Sequence, residues 1–112
     1  MAFRINCLIC GHTGDRSFPI DIDKNDGNEE VAFLKGLIKK AMKPRLDHFA
    51  ASDLQLFEVD LPFTFDFKYF KPDTAPLLPD KPLKMFQRRA RNHVHVIVDA
   101  GIFHDLFFLN IL

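Results

Sequence analysis

Apolar and polar positions alternate over residues 2–10. Phe3, Ile5, Cys7 and Ile9 share one parity, and Arg4, Asn6, Leu8 and Cys10 the other. A period of two marks a strand, because successive side chains point to opposite faces of a sheet. Gly11-His12-Thr13-Gly14-Asp15 is a turn cluster, and alternation resumes over 17–23 with Phe18, Ile20 and Ile22 on one face. Two such runs joined by a glycine-bearing turn predict a β-hairpin. From Glu29 to Met42 the period becomes helical. Val31, Leu34, Ile38 and Ala41 share a face, flanked by Leu37 and Met42, while Lys35, Lys39, Lys40 and Lys43 take the outer side and the last turn. Asn28 is the expected N-cap, and Pro44 ends the helix by disfavouring helical geometry at Lys43.

Asp53 to Pro62 alternates again, with Leu54, Leu56 and Glu58 on one face and Phe57 and Val59 on the other. Phe63, Phe65, Phe67 and Tyr69 alternate strongly enough to predict a further strand over 63–70. Pro72, Pro76, Pro79 and Pro82 make 71–82 an extended connection, followed by a short helical turn within 82–91. Residues 93–99 form the clearest strand, with Val94, Val96 and Val98 facing one way and His93, His95 and Ile97 the other.

A hairpin, one crossover helix and later strands predict an α+β fold of the ubiquitin-like β-grasp type. Its mixed sheet would have four or five strands, the first and last adjacent at its centre, with one main helix on one face. A ferredoxin-like arrangement needs a second long helix, which the proline-rich 71–92 region disfavours. Residues 1–100 are assigned to this domain and 101–112 to an apolar tail. The tail carries Phe103, Leu106, Phe107 and Leu109, which are expected to support self-association into a homodimer.

Composition narrows the function. Fifteen basic and fifteen acidic side chains cancel, so no overall field favours nucleic acid or an acidic membrane. No apolar run is long enough to span a bilayer. The N-terminus lacks the features of a classical signal peptide, so any export is expected to use another route. The chain ends Asn110-Ile111-Leu112 without Gly-Gly, so conjugation is not expected of this form.

Candidate chemistry is sparse. Cys7 and Cys10 have redox-motif spacing but sit in a strand, where residues three apart face opposite ways, so no redox pair is expected. His93 and His95 share a strand face, but zinc needs three or four ligands and nothing places the others, so no metal is expected. Asp21 to Gly27 resembles a calcium loop, yet Asp26 and Ala32 occupy the positions that need glycine and glutamate. Ser17 and Ser52 have no evident base, and there is no phosphate loop, so neither an enzyme nor a cofactor is expected. Lys81, Lys84, Arg88, Arg89 and Arg91 form a basic cluster. It reads either as a nuclear-import or phosphate-contact sequence or as a solvated connection balancing the acidic 21–30 loop.

The pieces in this order resemble the ubiquitin-like N-terminal header domain of Crinkler effectors, particularly the fungal branch. Ile5-Asn6-Cys7-Leu8-Ile9-Cys10-Gly11 resembles the family's first strand and Phe18-Pro19-Ile20-Asp21-Ile22 its second. Val31, Leu34 and Ile38 fall at its helix positions, and His93 to Val98 resembles its last strand. Leu54, Leu56 and Phe57, within Asp53-Leu54-Gln55-Leu56-Phe57, resemble the start of its Leu-x-Leu-Phe-Leu-Ala-Lys signature. Glu58-Val59-Asp60 departs from the rest of that signature, and the phenylalanine-rich 63–70 run departs from the polar region expected there. The resemblance implies a non-enzymatic module acting in delivery to host cells and protein–protein contact. It also implies a secreted or host-cell location, including the host nucleus. The alternative is a cytoplasmic β-grasp adaptor with no export role. Ubiquitin's usual partner surface is the sheet face away from the helix, which here would present Arg4, Asn6, Leu8, His93, His95 and Ile97 to a protein partner.

Overall fold

Phe3–Ile9 forms β1, buried on both faces from Ile5 onward, and Phe18–Ile22 forms β2. The computed structural model describes residues 2–23, 26, 28–68 and 70–99. The tail 101–112, and with it the self-association expected of Phe103, Leu106, Phe107 and Leu109, lies outside the described residues. β1 and β2 pair antiparallel, with Ile5 opposite Ile20 and Asn6 opposite Pro19. Gln55–Pro62 forms β3 and His93–Asp99 forms β4. The sheet order is β2-β1-β4-β3. β1 runs parallel to β4 at the centre, with Leu8 opposite Ile97, and β3 pairs antiparallel with β4. One helix, α1 (Val31–Ala41), packs on one face. The arrangement is the expected ubiquitin-like β-grasp.

Both outer strands are protected. Asn6 sends its N–H to β4, so it is the odd-numbered positions of β1 that bond to β2. Pro19 therefore falls where a β2 N–H would face outward, and it has none to offer a further strand. On the other edge, the Leu77 N–H donates to the Leu56 carbonyl at 2.7 Å, so the proline-rich connection covers part of β3.

α1 buries Val31, Leu34 and Ile38 as its period requires. Ala41 is exposed, and Leu46 from the following turn joins the core. Asn28 is not the cap. Glu30 stands at the N-cap with no side-chain bond. The first amides of the helix are satisfied from a distance, Val31 N–H by the Lys81 carbonyl at 2.9 Å and Ala32 N–H by the Pro79 carbonyl at 3.1 Å.

The predicted strand over 63–70 does not form. Pro62 ends β3, and the Phe65 N–H bonds back to the Pro62 carbonyl at 2.9 Å, which turns the chain over the sheet. Phe67 is then buried, and Phe65, Phe67 and Phe70 pack edge to face with centroids 5.0 to 6.1 Å apart. An alternating phenylalanine run here closes a second core instead of extending the sheet. Tyr69 lies outside the described residues.

Two cores result. The helix side holds Ile5, Cys7, Ile20, Leu34, Leu56 and Val96, with their neighbours. The far side holds Leu8, Phe67, Val94 and Ile97, with Phe57, Val59, Leu61, Phe63 and Phe70 against them. Val94, expected to face with Val96 and Val98, packs instead with Ile97. β3 carries a register shift between Glu58 and Leu61, and regular alternation in β4 breaks at the facing His95.

Candidate functional site

Leu54 and Leu56 are buried in the helix-side core, and Phe57 is half-buried on the other. These signature-like residues build the fold. The departing residues are tied to β4 and to the connection before it. Glu58 accepts from an Arg89 Nη, and Asp60 Oδ1 lies 2.6 Å from His93 Nδ1.

The face expected to be an open partner surface is closed. Leu8 and Ile97 are buried beneath the phenylalanine segment, Asn6 and His95 are buried beside it, and of the residues expected on this face His93 is partly exposed and Arg4 exposed. The missing element in the sequence argument was that lid. Burying four large apolar side chains on the far side is favourable by the usual area rule, so a segment rich in phenylalanine folds over the face.

His95 is instead the centre of a buried polar knot. Its Nδ1 receives the Asn6 backbone N–H at 2.9 Å, and its Nε2 lies 2.7 Å from the Ala90 carbonyl. A carbonyl only accepts, so Nε2 carries the proton and Nδ1 the lone pair. That is the neutral imidazole. Burial lowers the His95 pKa, as do the nearby Arg89 and His93, against the opposing pull of the Ala90 hydrogen bond and Asp60. The Asn6 side chain completes the knot, its Nδ2 donating to the Arg91 carbonyl at 2.8 Å and the His93 carbonyl at 2.9 Å. These bonds hold the turn that delivers the chain into β4.

The basic cluster divides. Lys81, Lys84, Arg88 and Arg91 are exposed, whereas Arg89 is partly buried against Glu58, with its Nε donating to the Met85 carbonyl. Arg89 and Arg91 also line a groove of about 700 Å³ together with Arg4 from β1, Ser17 and Gln87. Lys81, Lys84 and Arg88 stand outside it. Sequence reasoning missed this convergence, because Arg4 is brought beside 86–91 only by the parallel β1–β4 pairing.

The two cysteines lie on opposite faces of the sheet. Cys7 is fully buried, and burial pushes its thiol well up. Cys10, on the opposite face, is also raised, first by burial and then by Asp99. Cys7 has no cation to favour its thiolate, and at Cys10 burial and Asp99 outweigh the opposing pull of Lys71, so neither is set up as a reactive thiolate. Among the described residues no cluster of three metal-ligating side chains occurs. Asp21, the first residue of the calcium-like loop, pairs with Arg4 at 2.8 Å.

The sheet order and the one main helix among the described residues place the chain in the class of ubiquitin-like α+β modules. Its sequence matches the family model of the Crinkler effector protein N-terminal domain over residues 3–99. That span runs from the first residue of β1 to the last residue of β4, and the chain belongs to this family. A search of curated proteins found no match.

Proposed function

We propose that this domain is a non-enzymatic N-terminal module of a Crinkler-type effector, acting in delivery to host cells and in protein–protein contact. The family match across β1 to β4 and α1 carries this reading. The side chains agree with it. Burial lowers the His95 pKa and raises that of the Cys7 thiol, and packing encloses both side chains, which suits a structural role. Exposed Lys81, Lys84, Arg88 and Arg91 supply a basic surface that an import receptor can read once the chain is inside a host cell. The test is whether the full chain, made by the organism that encodes it, is recovered inside host cells. Recovery there supports the delivery role. Retention in the producing cell supports the cytoplasmic adaptor instead.

A further inference from the structure

Three arginines converge on one groove of the domain. Arg4 reaches it from β1, Ser17 and Pro19 from the start of β2, and Gln87, Arg89 and Arg91 from the connection into β4. At about 700 Å³ it lies within the size range of ligand-binding clefts. Among the described lining residues Asp21 is the one carboxylate and it pairs with Arg4, while Glu58 pairs with Arg89 from outside the lining, so Arg91 supplies the excess charge. In a chain of zero net charge, this is a local concentration of positive charge.

The three arginines are not equally engaged. Arg4 uses its Nε on Asp21, and Arg89 is drawn to Glu58 and held over the Phe86 ring, 5.8 Å from its centroid. The Arg91 guanidinium has no ion pair or hydrogen bond among the described residues, although its backbone carbonyl is fixed by Asn6. A side chain with an anchored backbone and a free planar fork is set to take an oxyanion in two parallel hydrogen bonds. The Ser17 hydroxyl and Gln87 amide add neutral donors, and the partly exposed Phe3 and Phe63 give the groove apolar walls.

We infer that this groove binds an acidic peptide segment of a partner protein, with a carboxylate or phosphate on the peptide taken by Arg91 and Arg4 and an apolar neighbour seated on the phenylalanine walls. A nucleic acid fits less well, because its phosphates need a long basic track and the chain has no net charge to supply one. A membrane surface would require a broad basic face, whereas these arginines line a cleft. This inference rests on the reading of the module as a protein-contact domain and names the chemistry of the partner.

The test uses the full chain and two fluorescein-labelled probes, a glutamate-rich peptide and a phosphoserine peptide, each containing one phenylalanine. A glutamine-for-glutamate version serves as the uncharged control. Anisotropy is read at low salt and at about 150 mM salt. At least one acidic probe should bind at both, and the glutamine control should not. Which acidic probe binds more tightly distinguishes carboxylate from phosphate. Arg91→Ala and Arg4→Ala should each weaken binding about tenfold, the scale of one lost charge-assisted contact. Arg88→Ala, exposed and outside the groove, should leave binding unchanged. No binding by either acidic probe overturns the inference, as does equal weakening by Arg88→Ala and Arg91→Ala. Absent peptide binding in a chain that still reaches host cells refutes the groove and leaves the delivery role intact. Binding by a chain retained in its producing cell supports the groove and refutes delivery.

Discussion

The backbone N–H of Asn6 donates to Nδ1 of His95 at 2.9 Å, joining residues 89 apart in sequence at the entrance to the two central strands. A backbone donor that would ordinarily meet a neighbouring carbonyl meets an imidazole lone pair. Protonating that nitrogen would set two donors against each other in a buried site, so the bond makes folding depend on a neutral His95.

The sign of the resulting pH dependence follows. The folded-state pKa of His95 is depressed below its ordinary value of 6.5. The unfolded chain therefore binds a proton first as pH falls, and the stabilisation is present above about pH 6.5 and lost as pH drops through the folded value. His12, lowered by burial and by Arg45 and Arg16, acts in the same direction. Urea unfolding at about pH 7.5 and about pH 5 should show a less stable domain at the lower pH. His95→Gln should be less stable at neutral pH and show a shallower pH slope. An unchanged slope in that variant would contradict the role given to His95.

Asn6 offers a sharper test of the same knot. Asn6→Asp keeps the shape but replaces a donor with an acceptor facing the Arg91 and His93 carbonyls. Asn6→Ala removes the donor without adding repulsion and should cost about 2 kcal/mol. The aspartate variant should be the less stable of the two at neutral pH and should partly recover on acidification. Matched denaturation curves check the order, and aspartate milder than alanine would refute the hydrogen-bond assignment.

Two glycines should respond in opposite directions. A Cβ on Gly14 would sit 2.1 Å from the Phe63 carbonyl oxygen, a backbone atom just past the end of β3. Gly14→Ala should cost about 2 kcal/mol or more, because the hairpin loop and the start of the lid must separate. Gly36 lies exposed within α1, and a methyl group added there would meet nothing within 4 Å. Gly36→Ala should stabilise by about 0.5–1 kcal/mol through helix propensity and lower unfolded-chain entropy. Thermal melts of the pair give the comparison.

The phenylalanine lid predicts one further loss. Phe67→Ala removes the buried anchor of the far-side core and should cost about 3–4 kcal/mol. It should also uncover Leu8 and Ile97, seen as increased binding of a hydrophobic dye before the main unfolding transition. Phe65→Ala, at a more exposed ring of the same cluster, should cost less than half as much.

Much of this architecture is legible in the sequence where one local pattern meets one buried face. β1, β2 and the start of β3 each set one parity against the helix-side core, and Val31, Leu34 and Ile38 repeat because they face that same core. The legibility stops where a partner is remote or is backbone. The cap of α1 comes from carbonyls of Pro79 and Lys81, which leave no side-chain signal near Asn28. Val94 breaks parity because His95 turns its ring into the backbone ladder. The period of 63–70 suits a strand and a folded lid equally well, and only the turn after Pro62 selects the lid. The groove was illegible for a related reason, since Arg4 meets Arg91 only through strand pairing.

If the exposed basic residues direct nuclear entry, replacing Lys81, Lys84, Arg88 and Arg91 together with alanine should move a tagged chain out of the nucleus of host cells. Arg89→Ala alone should have a smaller effect on location and a larger one on stability, because Arg89 is already paired with Glu58. Nuclear-to-cytoplasmic fluorescence ratios and melting temperatures separate the two effects. An unchanged ratio in the fourfold variant would refute the import role.

Delivery itself is tested most directly with a split fluorescent reporter. The short fragment is fused to the full chain in the organism that encodes it, and the large fragment is expressed only inside host cells. A delivery role predicts reconstituted fluorescence within host cells, abolished when the fold is broken by Gly14→Ala combined with Phe67→Ala. Reporter fragment confined to the producing cells, with the folded chain intact there, would contradict it.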